Sequence, residues 1–388
     1  MGLLSRRGLL GSAAGAWGLL ASSGALARAG RGAGRPPATR IAPVTDRYWG
    51  VEVVDRYRWM ETKPDTPEFT AWLKAQGDYA RSVLETLPGR ADMARRLERF
   101  TADTEILRGA FSRQGRLFIE RRPAGGESYL LYMRETPEGP ERLILDTAQF
   151  AQAAGPSPAF DYINVSPDGR HVAFGLSVGG SEMPRSLILN IDTGEIKDLK
   201  LKFARAGAWL SDSSGLFYFR VRDDAVPGST DFYLNGASWL HRLGTDPASD
   251  QILFRAGEGP DYQPVDGDLP LLATSLRGGW ILGVHYQNQE DLPLVYVARE
   301  ADLLAGKPAW RKVAGHAAGV ADAAVDGDDI YLLARGRQGA GEIVRVDAAS
   351  QTFDTGKVLV PAGDAVLSSM TLARDALDVS ISRMARGA

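Results

Sequence analysis

Six times between Arg113 and Val379 a polar turn runs straight into a short stretch of β-formers, and few folds can use such a repeat. The turns are Arg113-Gln114-Gly115, Pro167-Asp168-Gly169, Asp212-Ser213-Ser214-Gly215, Arg277-Gly278-Gly279, Asp326-Gly327-Asp328-Asp329 and the weaker Arg374-Asp375-Ala376. The runs that follow are Leu117–Ile119, His171–Phe174, Leu216–Phe219, Trp280–Leu282, Ile330–Leu333 and Leu377–Val379. Glycine and aspartate tolerate hairpin dihedrals, and a continuous apolar run after them fits a strand covered on both faces. Taking Gly115, Gly169, Gly215, Gly279, Gly327 and Asp375 as markers, the steps are 54, 46, 64, 48 and 48 residues. A period near 40–50 residues, with further turns such as Asp192-Thr193-Gly194 inside it, predicts four-stranded blades of a β-propeller. A pair of β-sandwiches is the alternative, but it does not require so regular a long period. The fold class is therefore mainly β, with about five to six blades present over 105–388.

Ahead of the repeat the texture is helical. Thr66 is placed to cap a helix opening on Pro67-Glu68. Phe69, Trp72, Leu73, Gln76, Ala80, Val83, Leu84 and Leu87 then recur at three- and four-residue steps, all apolar except Gln76. Leu87-Pro88-Gly89 ends that helix, and Met93, Leu97 and Phe100 mark a shorter one. Residues 48–104 are thus a helical segment.

The first residues read as an address. Arg6-Arg7 before Gly8-Leu9-Leu10, an apolar stretch and Ala25-Leu26-Ala27 make a secretory signal of the twin-arginine type over 1–29, with cleavage after Ala27 or Ala29. The glycines and the short apolar length argue against a membrane anchor. The expected location is periplasmic or secreted, with a Gly-, Arg- and Pro-rich linker over 30–47.

Composition narrows the chemistry. There is no cysteine, which excludes disulfides and thiol nucleophiles, and a net charge of −3 gives no pull toward nucleic acid or anionic membranes. The four histidines, His171, His241, His285 and His316, form no metal-binding spacing, and Asp266-Gly267-Asp268 lacks the ligand pattern of a calcium loop. Neither a metal nor a cofactor is expected. Gly175-Leu176-Ser177-Val178-Gly179-Gly180 fits the letters of a nucleophile elbow, yet Pro184 and a β-like run follow it where a helix is needed, so Ser177 is read as a decoy.

Asp55-Arg56-Tyr57-Arg58-Trp59-Met60-Glu61, then Trp72-Leu73-Lys74-Ala75-Gln76, resembles the opening of the prolyl oligopeptidases. Ser166-Pro167-Asp168-Gly169 through Ser177, Trp209 with Asp212–Tyr218, and His241-Arg242-Leu243-Gly244-Thr245-Asp246 are similar to successive blades of that family, in order. The resemblance implies a seven-bladed propeller that caps an α/β-hydrolase domain carrying a Ser-Asp-His triad. It also implies short proline-containing peptides as substrates, admitted by size. The hydrolase follows the seventh blade in the family, whereas this chain is expected to stop inside its sixth, without catalytic residues of its own and inactive alone. By the same resemblance Phe203 and Phe254 contact substrate, with plain core packing an equal reading, and Glu182 pairs across the domain interface. The family's usual Asp-Trp is replaced here by Glu182-Met183. A competing reading is a non-catalytic periplasmic propeller used for binding, which requires a closed ring.

Overall fold

The computed structural model describes residues 34–61, 66–151, 157–181, 183–201, 203–227, 229, 231–255, 269–275, 277–286, 293–335, 341–373 and 375–382. The signal segment and the Asp266-Gly267-Asp268 turn lie outside them. The chain divides into two compact units, Met1–Thr104 and Glu105–Ala388.

In the first unit, β1 (Val44–Tyr48) and β2 (Val51–Asp55) form a hairpin, followed by helices α1 (Pro67–Glu85) and α2 (Arg90–Ala102). Thr66 caps α1 as expected, its hydroxyl accepting from the Phe69 N–H at 3.3 Å. The hairpin corrects the sequence reading, which had a linker running through residue 47. Trp49 and Gly50 both adopt positive φ, the two-residue turn that matches strand twist, and Val51, Val53 and Val54 are β-branched. The chain ahead of the hairpin is not a free linker either. Gln76 Nε2 donates to the Pro37 carbonyl at 2.9 Å, Trp72 Nε1 to Thr39 Oγ1 at 3.0 Å and Trp59 Nε1 to the Arg40 carbonyl at 2.9 Å. The one polar residue in the apolar stripe thus serves as a tether for this strap. Trp59, Phe69 and Trp72 pack ring against ring beneath it, with centroids 5.8–6.4 Å apart.

The second unit is a succession of antiparallel blades. The first is β3 (Ile106–Arg113), β4 (Arg116–Arg122), β5 (Leu130–Arg134) and β6 (Glu141–Asp146). The second is β7 (Pro158–Val165), β8 (His171–Val178), β9 (Arg185–Asn190) and β10 (Ile196–Asp198). The third is β11 (Ala204–Trp209), β12 (Gly215–Arg220), β13 (Ala237–Arg242) and β14 (Gln251–Arg255). The fourth is β15 (Leu269–Thr274), β16 (Trp280–Tyr286), β17 (Leu294–Arg299) and β18 (Arg311–Ala314). The fifth is β19 (Val320–Asp326), β20 (Asp329–Ala334), β21 (Glu342–Asp347) and β22 (Lys357–Val360). A two-stranded sheet, β23 (Val366–Leu372) with β24 (Leu377–Ser382), opens the sixth among the described residues. Within each blade the strands pair in chain order, and from the second blade on the first strands of successive blades touch one another.

Every marker run from the sequence proves to be the second strand of its blade. In the second, third and fourth blades this strand is covered on both faces, so it reads as a near-continuous apolar run rather than an alternation, whereas the sixth, β24, is largely exposed. Gly115, Gly169, Gly279 and Gly327 adopt the positive φ that the turns require; in the third blade Ser213 takes that conformation instead, at φ 62°.

The cores lie between blades. Phe118, Leu131, Phe160, Phe174 and Leu187 join the first to the second. Tyr162, Ile188, Trp209, Leu216 and Tyr218 join the second to the third. Phe217, Leu240, Phe254, Ile281 and Tyr296 join the third to the fourth, and Leu282, Val297, Val325, Ile330 and Val346 the fourth to the fifth. Each blade therefore depends on its neighbour for burial. At about 25 cal/mol per Å² of apolar surface, that is the main force holding the array.

Candidate functional site

First strands begin, and second strands end, at one end of the blade array. There a cavity of about 550 Å³ lies against the second, third and fourth blades. Met183 and Pro184 come from the β8–β9 connection, Phe203 from the entry to β11, and Phe232 and Tyr233 from the long β12–β13 connection. Leu271 and Leu272 on β15 form the floor. The walls are mostly apolar and aromatic, as expected of a site that grips a small organic group.

Phe203 is the unusual wall residue. Its backbone is left-handed, φ 52°, a region that costs a residue with a Cβ about 1–3 kcal/mol. Two features hold it there. Its ring meets Phe232 edge to face, centroids 5.1 Å apart, and Phe232 in turn meets Tyr233 at 4.8 Å. The next residue is pinned by a buried chain of hydrogen bonds. Tyr162 Oη donates to Ser186 Oγ at 2.8 Å, and Ser186 Oγ donates to the Ala204 carbonyl at 2.9 Å. Burial raises the Tyr162 phenol above its usual range, so it remains a neutral donor.

Of the sequence-derived residues, Phe203 lines the cavity. Phe254 does not. It is fully buried between the third and fourth blades, with ring centroids 4.3 Å from His285 and 4.4 Å from Trp310. The packing alternative describes its position, because β14 turns that side chain toward the neighbouring blade. Glu182 lies outside the described residues. Phe232 and Tyr233 were missed; adjacent aromatics in a turn-rich stretch are the only signal the sequence offered for them.

Ser177 sits within β8, paired with Ala159 on β7 and nearly closed to solvent. After it the chain turns through Gly179 and Gly180, both at positive φ, into β9 and not into a helix. Gly175 has its own reason. A Cβ there would overlap the Tyr162 ring, with Cδ1 at 2.7 Å. The letters of the elbow thus come from a tight hairpin and a close ring contact. Among the described residues no three His, Asp or Glu side chains converge as a metal site would need.

Residues 36–386 match the prolyl oligopeptidase N-terminal β-propeller domain. The chain belongs to that family. It is similar to the prolyl endopeptidase of Elizabethkingia meningoseptica, 26% identical over 233 residues covering 58% of this chain and 31% of that enzyme. It is also similar to prolyl oligopeptidase A of Galerina marginata, 24% identical over 246 residues covering 55% of this chain and 32% of the other. A solved prolyl endopeptidase superposes with a TM-score of 0.75 at 24% identity, over 90% of this chain and 50% of that one. Galerina marginata prolyl oligopeptidase B, bound to a 35-residue hydrolysis and macrocyclization substrate, gives 0.71 at 20% identity over 89% and 51%. The structural likenesses establish the propeller fold, and this prolyl oligopeptidase propeller spans about half the length of those solved chains.

Proposed function

We propose that this propeller is the gating and substrate-wall portion of a serine peptidase that hydrolyses short proline-containing peptides. The observation that carries the reading is the family match over residues 36–386, together with an aromatic cavity at one end of the blades. In this reading an α/β-hydrolase partner domain supplies the Ser-Asp-His triad. The serine attacks the scissile carbonyl, the histidine takes its proton, and backbone N–H groups stabilise the oxyanion. The blades contribute by admitting only slender chains and by keeping water from the reaction, which strengthens every polar interaction at the centre. Phe203, Phe232 and Met183 form an apolar wall against which a peptide N-terminal to the scissile bond lies.

The 388-residue chain by itself is inactive, since Ser177 is locked in a strand. Glu182 pairs with the hydrolase domain. Export by the twin-arginine route places the protein in the periplasm or outside the cell; the reading rests on Arg6-Arg7 and Ala25-Leu26-Ala27. Among the described residues no helix is long and apolar enough to cross a membrane.

The test is hydrolysis of a blocked chromogenic peptide ending in Gly-Pro. The chain alone is expected to give no turnover, and the product of the gene read beyond codon 388 is expected to cleave after proline. Turnover by the chain alone that disappears in Ser177→Ala would refute the assignment of roles, and would return Ser177 to the position of nucleophile.

A further inference from the structure

A second cavity, of about 410 Å³, lies between the first strands of the first four blades, toward the end that carries the β3–β4 and β7–β8 turns. Gly207 on β11 borders both cavities, so they open on opposite stretches of the same strands. Phe111, Ile163, Val165, Pro167 and Trp209 give this one apolar walls, and Arg113, the last residue of β3, is the cation in its lining.

Arg113 is placed unlike the arginines near it. Arg116 pairs with Glu135 at 2.8 Å, Arg170 with Asp192 at 2.6 Å, and Arg121 with Glu141. Among the described residues no carboxylate pairs with Arg113. Its guanidinium lies over the Phe111 ring at 5.8 Å, one Nη donates to the Ser112 carbonyl at 2.8 Å, and Nε is buried without an acceptor. Burial pulls its proton affinity down, and no acidic neighbour offsets the effect. Arg113 is half-buried, and a half-buried cation that no carboxylate faces is under-compensated, a cost that an arriving anion offsets. The other polar side chains around the cavity are engaged elsewhere. Asn164 Nδ2 donates to the Ala206 carbonyl at 3.1 Å, Thr274 Oγ1 to the Trp209 carbonyl at 2.9 Å, and Trp209 Nε1 to the Asn164 carbonyl at 3.0 Å.

We propose that the Arg113 cavity binds a small monoanionic carboxylate with an apolar body, such as the free C-terminus of a short peptide. The planar guanidinium fork fits a carboxylate. One cation among apolar walls suits a single charge attached to a hydrophobic group, and suits a hydrated, multiply charged phosphate poorly. The inference concerns binding without turnover and stands apart from the peptidase reading.

The experiment is titration of the 388-residue chain, followed by tryptophan fluorescence and calorimetry, with N-acetyl-leucine, N-acetyl-leucinamide and inorganic phosphate. The acid is expected to bind at least about tenfold more tightly than the amide, as charge-assisted hydrogen bonding requires, and more tightly than phosphate. Arg113→Met is expected to lose that preference and Arg113→Lys to fall between. A blocked tripeptide ending in leucine that binds better than N-acetyl-leucine identifies peptide ends as the source; equal affinity identifies free acids. Both support the site. Equal binding of acid and amide, no binding of the acid at millimolar concentration, or full affinity in Arg113→Met would each overturn it. Should Arg113→Met fail to fold, the acid–amide comparison on the unaltered chain decides alone.

Discussion

The Phe203 and Phe232 rings meet edge to face, 5.1 Å between centroids, and the meeting holds Phe203 at a backbone φ of 52°. An aromatic residue in that conformation has its side chain fixed toward the cavity at the cost of backbone strain. Phe203→Gly and Phe203→Ala both remove the ring, but only glycine is at ease with positive φ. The glycine variant is therefore expected to be more stable than the alanine variant by about 1–2 kcal/mol. Urea unfolding of the two variants checks this, and equal midpoints would mean that Phe203 carries no strain.

A buried polar knot within the third blade gives a second prediction. Asp250 accepts from His241 Nδ1 at 3.0 Å and from Tyr218 Oη at 2.9 Å, with the Asp250 and His241 side chains closed to solvent. Burial and the Asp250 charge push the Tyr218 phenol well above its normal range, so it stays a donor. Asp250→Ala strands both donors and is expected to cost about 3–5 kcal/mol. Tyr218→Phe removes one bond and should cost about 1–2 kcal/mol. A double-mutant cycle on Tyr218 and Asp250 is expected to show a coupling above about 0.5 kcal/mol. A coupling of zero would mean that the hydroxyl is satisfied by something other than Asp250.

Close packing between blades gives a third. At Gly283 on β16 a Cβ would come within 2.6 Å of Phe254 Cζ and 3.0 Å of Trp310 Cζ3. Phe254 lies in the core between the third and fourth blades and Trp310 packs against it, so an added methyl must displace one of the two rings. Gly283→Ala is expected to destabilise by about 1–3 kcal/mol through overpacking. Thermal melting measures it; an unchanged midpoint would show that Phe254 moves freely.

Six aspartates are held below the ordinary carboxylate range, Asp46 and Asp55 in the first unit and four in the propeller, and the acid response follows from them. Asp192 is held below the ordinary carboxylate range chiefly by its hydrogen bond from Arg170, Asp212 by bonds from Ser214, Asp231 by Ser229 and Arg222, and Asp347 by Ser350. A depressed folded value means the stabilisation is complete above the unfolded value of about 3.9 and is lost as pH falls through the folded ones. Melting temperature is therefore expected to be flat from about pH 7 to 5 and to drop below about pH 4. A drop centred between about pH 5 and 7 would instead point to a histidine.

The middle blades were legible because their second strands are buried on both faces and follow tight turns with a residue at positive φ, usually glycine. Both properties leave marks in the order of residues. The outer strands left fewer: β10 is three residues long, and β22 is largely exposed. The hairpin at Val44–Asp55 was hidden because its turn is Trp49-Gly50 and not an Asn-Gly pair. In the site, Phe203 was legible through family resemblance alone. No periodicity distinguishes it from Phe254, whose strand buries it. Phe232 and Tyr233 come from a connection with no repeat of its own, so only the folded chain brings them to Phe203.

We propose that these blades wall the substrate path of a proline-specific peptidase. This is tested most directly by steady-state hydrolysis of proline-containing peptides of graded length by the complete gene product, unaltered and with Phe203→Ala or Ser177→Ala. The expected result is cleavage after proline that fades as peptides lengthen, a raised KM in Phe203→Ala, and no change in Ser177→Ala. Cleavage indifferent to proline and to Phe203, or no cleavage at all, would contradict it.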